Sequence, residues 1–208
     1  GIYITTSGTV SIINAGSIIA NTGVAITTGG KTLTNSGAIT GTGGTAISLT
    51  GSNNTVRLQT GSDIDGAITS TGSGNALIIN GQGTLNGSAT GVDHITAAID
   101  PGQSWLLNGT TYSTTGTTAS ALQVESGTLI LNGALTHTGT GGGTTITTDG
   151  ILQLGNNDAS GSVTGNIANN GLLRFSRTDS STFGGTIDGA GSINQAGSGE
   201  TILSAANN

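Results

Sequence analysis

Short motifs recur along this chain at one regular interval, and this repeat limits the fold more than any other feature of the sequence. Asn14-Ala15-Gly16-Ser17-Ile18 matches Asn35-Ser36-Gly37-Ala38-Ile39 at a shift of 21. Gly23-Val24-Ala25-Ile26-Thr27 matches Gly44-Thr45-Ala46-Ile47-Ser48 at the same shift, and Gly1-Ile2-Tyr3-Ile4-Thr5 precedes it by 22. Two independent motifs that share one interval indicate a repeat protein.

The second half of the chain has its own series of motifs. Gly127-Thr128-Leu129-Ile130-Leu131 is echoed at 150–154, 171–175 and 191–193, at shifts of 23, 21 and 20. Apolar residues stand at i and i+2 in each motif, as in a strand with one buried face. A second strand series is predicted through Ala121-Leu122 and Thr145-Ile146.

A shift of about 21 fits one coil of a parallel β-helix, in which three short strands are joined by tight corners. Leucine-rich repeats need an L-x-x-L-x-L-x-x-N frame that is missing here, and propeller blades need about twice the interval. The composition agrees: 39 glycines and many Thr, Ser, Val and Ile residues disfavour helix, whereas Thr, Val and Ile suit strands. We therefore predict an all-β, right-handed parallel β-helix of about nine coils, roughly 45 Å long.

Asn-Gly pairs are expected at the corners, where a positive φ would favour glycine. The same pairs are typical of hairpin turns, so local hairpins stay open as an alternative. The pairs begin at Asn80, Asn86, Asn108, Asn132 and Asn170.

The region at about 61–118 departs from the repeat. The shift from Gly44-Thr45-Ala46-Ile47 to Gly74-Asn75-Ala76-Leu77 is 30, about nine too many for one coil. We expect a projecting loop or an irregular coil there. Because strand and corner patterns resume without a linker, 1–208 is predicted to be a single β-helical unit.

Charge and hydropathy exclude several classes of function. The net charge is −6, and the four basic residues are scattered, so no basic stripe is present to bind nucleic acid. No apolar run approaches the length of roughly 18 residues that a membrane-spanning helix needs, so direct membrane insertion of this segment is not expected. The chain has no cysteine, which suits export through a narrow pore.

Few side chains have the arrangement that catalysis requires. Asp63 and Asp65 could form a carboxylate pair or a Ca²⁺ site, but we favour a turn at the start of a loop. His94 beside Asp93 suggests a hydrolytic triad on paper, yet no G-x-S-x-G motif is present. His137 is predicted to lie in a polar turn, and two isolated histidines make no zinc site. We therefore predict no catalytic, cofactor-binding or metal-binding residues, no cofactor, and no enzyme; the ligand-binding residues are left unassigned.

Three further features have a simple structural interpretation. Trp105 could stack on a sugar if it were exposed, but we favour a place in the core. Asn53, Asn86 and Asn108 begin glycosylation sequons, which are frequent by chance in a chain rich in Asn, Ser and Thr. Arg174 and Arg177 flank Phe175 in the predicted strand at 171–176, and we favour solvated, outward-facing positions for them over a ligand site.

Residues 184–207 carry a family resemblance. They read G-G-T-I-D-G-A-G-S-I-N-Q-A-G-S-G-E-T-I-L-S-A-A-N. This segment resembles the passenger-associated repeat of bacterial autotransporters, approximately G-G-T-I-x-G-x-G-S-L-x-K-x-G-x-G-T-L-x-L-S-G-x-N. Asn194-Gln195 departs from the Thr-Lys that is usual there, and Ala205 from the usual Gly.

The resemblance implies a protein with a signal peptide, a β-helical passenger and a C-terminal outer-membrane barrel, of which this chain would be a passenger segment. Localisation would be the bacterial cell surface or the medium, after export through the outer membrane. The predicted function is an adhesin that attaches to host cells or matrix, self-associates, or both. Its partners would be a host surface protein or glycan, or another copy of itself. The alternatives are a polysaccharide-active β-helical enzyme and a structural spacer.

Overall fold

The computed structural model describes residues 1–118 and 120–207, and within these residues it contains strands and no helix. Every strand pair in this part of the chain is parallel, so the hairpin alternative for the Asn-Gly pairs is wrong there. The strands, in chain order, are β1 (Ile2–Ile4), β2 (Val10–Asn14), β3 (Ser17–Ile26), β4 (Lys31–Asn35), β5 (Ala38–Leu49), β6 (Thr55–Leu58), β7 (Asp63–Ser70), β8 (Ala76–Asn80), β9 (Gly83–Asn86), β10 (Ala89–Val92), β11 (His94–Ala98), β12 (Ser104–Leu107), β13 (Thr111–Thr114), β14 (Leu122–Leu131), β15 (Ala134–His137), β16 (Thr144–Asp158), β17 (Ser162–Val163), β18 (Ile167–Asn169), β19 (Leu172–Arg177), β20 (Ser181–Phe183), β21 (Ile187–Asp188), β22 (Ser192–Gln195) and β23 (Thr201–Leu203).

The strands stack on three faces to form a parallel solenoid of about nine turns, with a spacing of about 22 residues. Long strands such as β3, β14 and β16 turn a corner and contribute to two faces. The first face contains β2, β4, β6, β8, β11, the first parts of β14 and β16, β18 and β21. The second contains the first parts of β3, β5 and β7, then β9, β12, the last parts of β14 and β16, β19 and β22. The third contains β1, the last parts of β3, β5 and β7, then β10, β13, β15 and β17, and it is followed by the separate pair β20 and β23.

Aliphatic side chains fill the interior because alternate residues of each strand point inward. On the second face, like residues of successive coils form one buried column. Complete burial of one such side chain contributes about 1.5–3 kcal/mol relative to exposure. The column contains Ile39, Ile64, Leu85, Leu107, Leu131 and Leu154.

Most of the predicted strand registers are confirmed. Leu129 pairs with Leu152 and then Leu173, as the second-half motifs indicate. Ile18 pairs with Ile39, also as predicted. The predicted match of Gly23 to Gly44 is wrong, because the register shifts in β5 and Val24 pairs with Ile47. The wider corner of β5, where Gly44 has a φ of 91°, adds residues that a motif comparison cannot count.

The shift of 30 between the motif ending at Ile47 and the motif ending at Leu77 arises because the two motifs lie on different faces. Ile47 lies on the third face and pairs with Ile68, whereas Leu77 lies on the first face and pairs with Val56. Strands β7 to β13 join the same sheet as their neighbours. The coils do vary here, since the shift from Leu77 to its partner Ile95 is 18 and the next, to Leu122, is 27. The organisation of 1–208 as one unit stays a prediction.

At the corner after the second face, close packing between coils requires glycine, and a positive φ is mostly not the reason. Gly66, Gly87, Gly109 and Gly133 follow one another in successive coils, and a Cβ on any of the last three would meet the carbonyl of the glycine before it. Only Gly81 of the five Asn-Gly glycines has a positive φ, at 69°. The conformational reason predicted for these pairs is therefore wrong at the other four.

Trp105 is fully buried, which confirms its predicted place in the core. Its indole Nε1 donates a hydrogen bond to the Asn80 carbonyl at 3.0 Å. Gly83 stands beside it on the preceding coil, and a Cβ there would lie 2.6 Å from the Trp105 ring. The small residue makes room for the large one.

Candidate functional site

Hydroxyl side chains stack along the third face. Ser48, Thr69 and Thr90 occupy one column in consecutive coils, and Ser113 and Thr136 are consecutive further along. Parallel strands about 4.8 Å apart place such side chains in a regular row. The row is a partly exposed polar surface that can make many similar hydrogen bonds.

A second row consists of amides at the corner after the second face. Asn108 Nδ2 donates to Asn86 Oδ1 at 3.4 Å, and Asn132 Nδ2 donates to Asn108 Oδ1 at 3.2 Å. Asn132 Nδ2 also donates to Asp158 Oδ2 at 3.1 Å. Burial alone would raise the pKa of Asp158, but hydrogen bonds from Ser160 and Asn132 outweigh it and lower the pKa. The row thus ends on a carboxylate that stays ionised.

The corner between Leu154 and Val163 is much longer than the corner of the coil before it, which runs from Leu131 to Leu135. Gly155 and Gly161 close this longer corner, since a Cβ on Gly161 would meet the Gly155 backbone. Asn157 within it has a φ of 61°, a conformation that favours glycine. The strand register shifts between Leu154 and Asp158, so the end of β16 and the residues after it form a long, compact corner that sequence analysis did not identify.

Arg177 holds this loop in place. Its guanidinium donates to Asp179 at 3.0 and 2.8 Å and to the Gly161 carbonyl at 2.9 Å. The hydrogen bonds from Arg177 lower the pKa of the Asp179 carboxyl. The Arg177 side chain is only 14% exposed, so the prediction that it is a solvated outward residue is wrong. A cleft of about 280 Å³ lies between this loop and the shorter corner before it, lined in part by Asn132, Ser160 and Arg177.

Asp63 and Asp65 both lie in β7 and are exposed on the outer side of the second face. The predicted turn is therefore wrong, because both are strand residues two apart that share one side. Asp63 pairs with Thr84 on the next coil, and Asp65 pairs with Asn86. Asp63 lines an open groove of about 540 Å³, together with Gln82, Thr84 and Ser104.

Asp93 and His94 do not form part of a triad arrangement in the structure. Asp93 Oδ2 accepts a hydrogen bond from the Asn75 backbone N–H at 3.1 Å, at the corner before the first face. Asn75 in turn accepts from the backbone of Asn54, so Asp93 continues a stack of corner caps. His94 is exposed at the start of β11. In the part of the chain that the structure describes, no group of three or more His, Cys, Asp or Glu side chains could hold a metal ion.

His137 ends strand β15 and is half-buried, so the predicted polar turn is wrong. Its Nδ1 lies 2.7 Å from Thr114 Oγ1, and its Nε2 lies 3.1 Å from Thr144 Oγ1. Burial lowers the pKa of His137. A neutral imidazole between two hydroxyls has a structural role, because it joins three strands of neighbouring coils.

Lys31 is buried, which its isolated place in the sequence did not indicate. Its Nζ donates to the carbonyls of Gly8, at 2.6 Å, and Gly29, at 2.5 Å. The ammonium therefore satisfies corner carbonyls of two coils. Its partners are backbone atoms, so this arrangement also serves the fold.

The remaining candidates lie on the surface. Asn53, Asn86 and Asn108, which begin the sequons, are exposed. Arg174 is half-buried in β19, and its Nη1 donates to Gln153 Oε1 at 3.2 Å. The predicted passenger-associated repeat at 184–207 forms β21, β22 and β23.

Comparison with known proteins gives one partial similarity. The chain is 50% identical over 52 residues to the Adhesin BmaC autotransporter of Brucella suis biovar 1 (strain 1330). The match covers 25% of this chain and 2% of that protein. No family model matches, so the assignment of the repeat at 184–207 stays a prediction. No solved structure matches either.

The parallel solenoid and this similarity together fit an adhesin-like autotransporter passenger in general terms. No helix among the described residues is both long enough and apolar enough to span a membrane. The rows of hydroxyls and amides are the repeated polar features of the outer surface.

Proposed function

We propose that this chain is a segment of an adhesive passenger, displayed at the bacterial surface or released from it, which attaches to host cells or matrix without enzymatic activity. The supporting observation is the continuous parallel stack, which repeats exposed hydroxyl and amide positions from coil to coil. Each hydrogen bond to such a surface contributes little. Repetition along a passenger and among many passengers turns weak contacts into firm attachment.

A bead assay tests this proposal. Beads coated with the 208-residue chain should bind cultured host cells or immobilised matrix proteins, and soluble chain should compete with them. Beads that carry the heat-denatured chain are the control, because they present the same composition without ordered rows. Beads that stay inert on every cell and matrix surface would support the spacer alternative and overturn the adhesive proposal.

A polysaccharide-cleaving enzyme is the alternative from another class. Asp63 faces outward on the second face, whereas Asp93 caps the backbone of Asn75 at a different corner. This separation favours binding over cleavage. Saturable cleavage of a polysaccharide that is lost in Asp63→Asn and Asp93→Asn variants would overturn the non-enzymatic proposal.

A further inference from the structure

The five Asn-Gly pairs of this chain are open to a chemical change that needs no enzyme. In such a pair the backbone nitrogen of the glycine can attack the side-chain carbonyl carbon of the asparagine, because glycine has no side chain to hinder the approach. The attack needs a glycine N–H that is free of hydrogen bonds and an asparagine amide that is free to turn. The pairs differ in both respects, and they begin at Asn80, Asn86, Asn108, Asn132 and Asn170.

In two of the pairs the glycine N–H is held. The Gly109 N–H donates to the buried Tyr112 hydroxyl, and the Gly171 N–H donates to Asn169 Oδ1 at 3.2 Å. Each of these bonds must break before the nitrogen can attack, and the loss of one hydrogen bond costs about tenfold in rate. The reaction is therefore slowed at Asn108 and Asn170.

In two other pairs the asparagine amide is held. Asn80 Nδ2 donates to the Ala98 carbonyl at 3.2 Å. Asn132 Nδ2 donates both to Asn108 Oδ1 at 3.2 Å and to Asp158 Oδ2 at 3.1 Å. Neither side chain can turn towards the following glycine without the loss of these bonds.

The pair Asn86-Gly87 has neither restraint. Asn86 is exposed at the end of β9, and its amide is engaged only through Oδ1, which accepts from Asn108 at the long distance of 3.4 Å. Among residues 1–118 and 120–207, Asn86 Nδ2 and the Gly87 N–H have no hydrogen-bond partner. We propose that Asn86 is a site of spontaneous deamidation, and that the folded chain directs the reaction to this one pair of the five.

The reaction needs only water. The Gly87 nitrogen bonds to Cγ of Asn86 and gives its proton to solvent, while the Cγ–Nδ2 bond breaks and Nδ2 takes up a proton and leaves as ammonia. The product is a five-membered succinimide. Water then adds to one of its two carbonyl carbons, breaks the bond from that carbon to nitrogen and returns a proton to the nitrogen. Residue 86 becomes aspartate or isoaspartate, and either product adds one negative charge.

The new charge lies in the open groove of about 540 Å³ that Asp63 also lines. Asp65 pairs with Asn86 from the preceding coil, but both side chains are exposed, so solvent screens the repulsion between them. The carboxylate of an aspartate product can still accept the hydrogen bond from Asn108, so the amide row is kept. Deamidation therefore makes the groove more acidic with time and leaves the fold intact. This inference is independent of the adhesive proposal, because the reaction requires no partner.

Peptide mapping by mass spectrometry tests the selectivity. During incubation of the folded chain at mildly alkaline pH, Asn86 should convert about tenfold faster than any of the other four asparagines. The control is the chain unfolded in urea, in which all five pairs should react at similar rates because glycine follows each asparagine. Faster or equal conversion at another pair of the folded chain would overturn the proposal. So would an Asn86 that stays unchanged while the unfolded chain reacts, or the same selectivity in the unfolded chain.

A substitution at Tyr112 tests the reason for the selectivity. Tyr112→Phe removes the acceptor of the Gly109 N–H, so conversion at Asn108 should rise about tenfold while the rate at Asn86 stays the same. Circular dichroism establishes that the variant keeps its strand content. An unchanged rate at Asn108 in the folded variant would overturn the role of the hydrogen bond.

Two aspartate variants form a matched pair that tests the effect on the fold. Asn86→Asp should leave the urea midpoint close to that of the unchanged chain. Asn132→Asp should lower the midpoint, because its carboxylate would face the carboxylate of Asp158. An Asn86→Asp chain that loses as much stability as Asn132→Asp would overturn the inference that the fold tolerates the change.

Discussion

At the scale of single residues, His137 shows how a titratable side chain can be used to hold coils together. Both of its ring nitrogens lie within hydrogen-bond distance of threonine hydroxyls on neighbouring coils, and burial lowers its pKa below 6.5. The folded chain therefore takes up this proton less readily than the unfolded chain. Protonation of His137 therefore favours the unfolded state, because that state binds the proton more tightly.

The free energy of unfolding should fall as the pH drops below about 6.5 and should continue to fall until His137 protonates in the folded state. In a His137→Gln variant this dependence between pH 7 and pH 5 should disappear, although the variant is less stable at pH 7. Urea unfolding followed by circular dichroism at several pH values measures both effects. His94→Gln is the control, since His94 is exposed and the variant should keep the pH dependence. A His137→Gln variant with an unchanged pH dependence would contradict the assignment.

At the scale of structural elements, the corner after the second face depends on glycine for its close packing. Gly87, Gly109 and Gly133 leave no room for a Cβ, because each lies against the carbonyl of the coil before it. The buried Tyr112 hydroxyl crosses the same corner, where it accepts from the Gly109 N–H and donates to the Gly87 carbonyl. Burial raises the pKa of Tyr112, so this hydroxyl stays protonated and continues to donate.

Substitution of one corner glycine should therefore be costly. Gly109→Ala should lower the free energy of unfolding by about 1–3 kcal/mol, since a methyl group is forced against backbone atoms that cannot move alone. Gly16→Ala is the matched control: its Cβ would meet nothing within 4 Å, and the change should stay within about 0.5 kcal/mol. Urea midpoints of the two variants provide the comparison. Equal midpoints would show that the corner adjusts more easily than the packing indicates.

The strands were easier to predict than the corners, for a physical reason. Apolar residues at i and i+2, as in Leu129 and Leu131, indicate a strand with one side facing inward, and both of these leucines are buried. Such a motif does not reveal which face it belongs to, so the interval between Ile47 and Leu77, which lie on different faces, is not the length of a coil. The loop at 155–161 was missed because its Gly, Asn and Ser residues are also typical of ordinary corners.

The surface was hardest to predict because it depends on register between coils. Asp63 and Arg174 are more than a hundred residues apart in the chain, and only the full set of strand pairings places them in one column. Burial of Arg177 likewise could not be predicted without knowing the long corner at 155–161 against which its side chain packs. The predicted core position of Trp105, in contrast, needed only its apolar neighbours.

At the scale of the whole molecule, each coil contacts mainly its neighbours, so stability should be close to a sum over coils. Deletion of residues 132–154 removes one complete coil. Leu131 is then followed directly by Gly155, so it takes the position of its register partner Leu154. This variant should fold, with a urea m-value lower by about a tenth. Deletion of 132–143 removes only the third-face strand, so the strand registers of the coils on either side no longer match.

Circular dichroism and urea unfolding should show a cooperative transition for the complete-coil deletion and a broad or absent one for the partial deletion. Equal loss of structure in both variants would contradict nearest-neighbour stacking, because it would mean that distant coils support one another.

Parallel stacking also determines how the molecule responds to tension. A pull along the stack acts along the direction of the hydrogen bonds between coils. A coil at either end of the stack is held from one side only. The coils therefore peel away one at a time, and each releases about 70 Å of chain. A stack pulled in this way should lengthen in steps at nearly constant load while its inner coils stay folded.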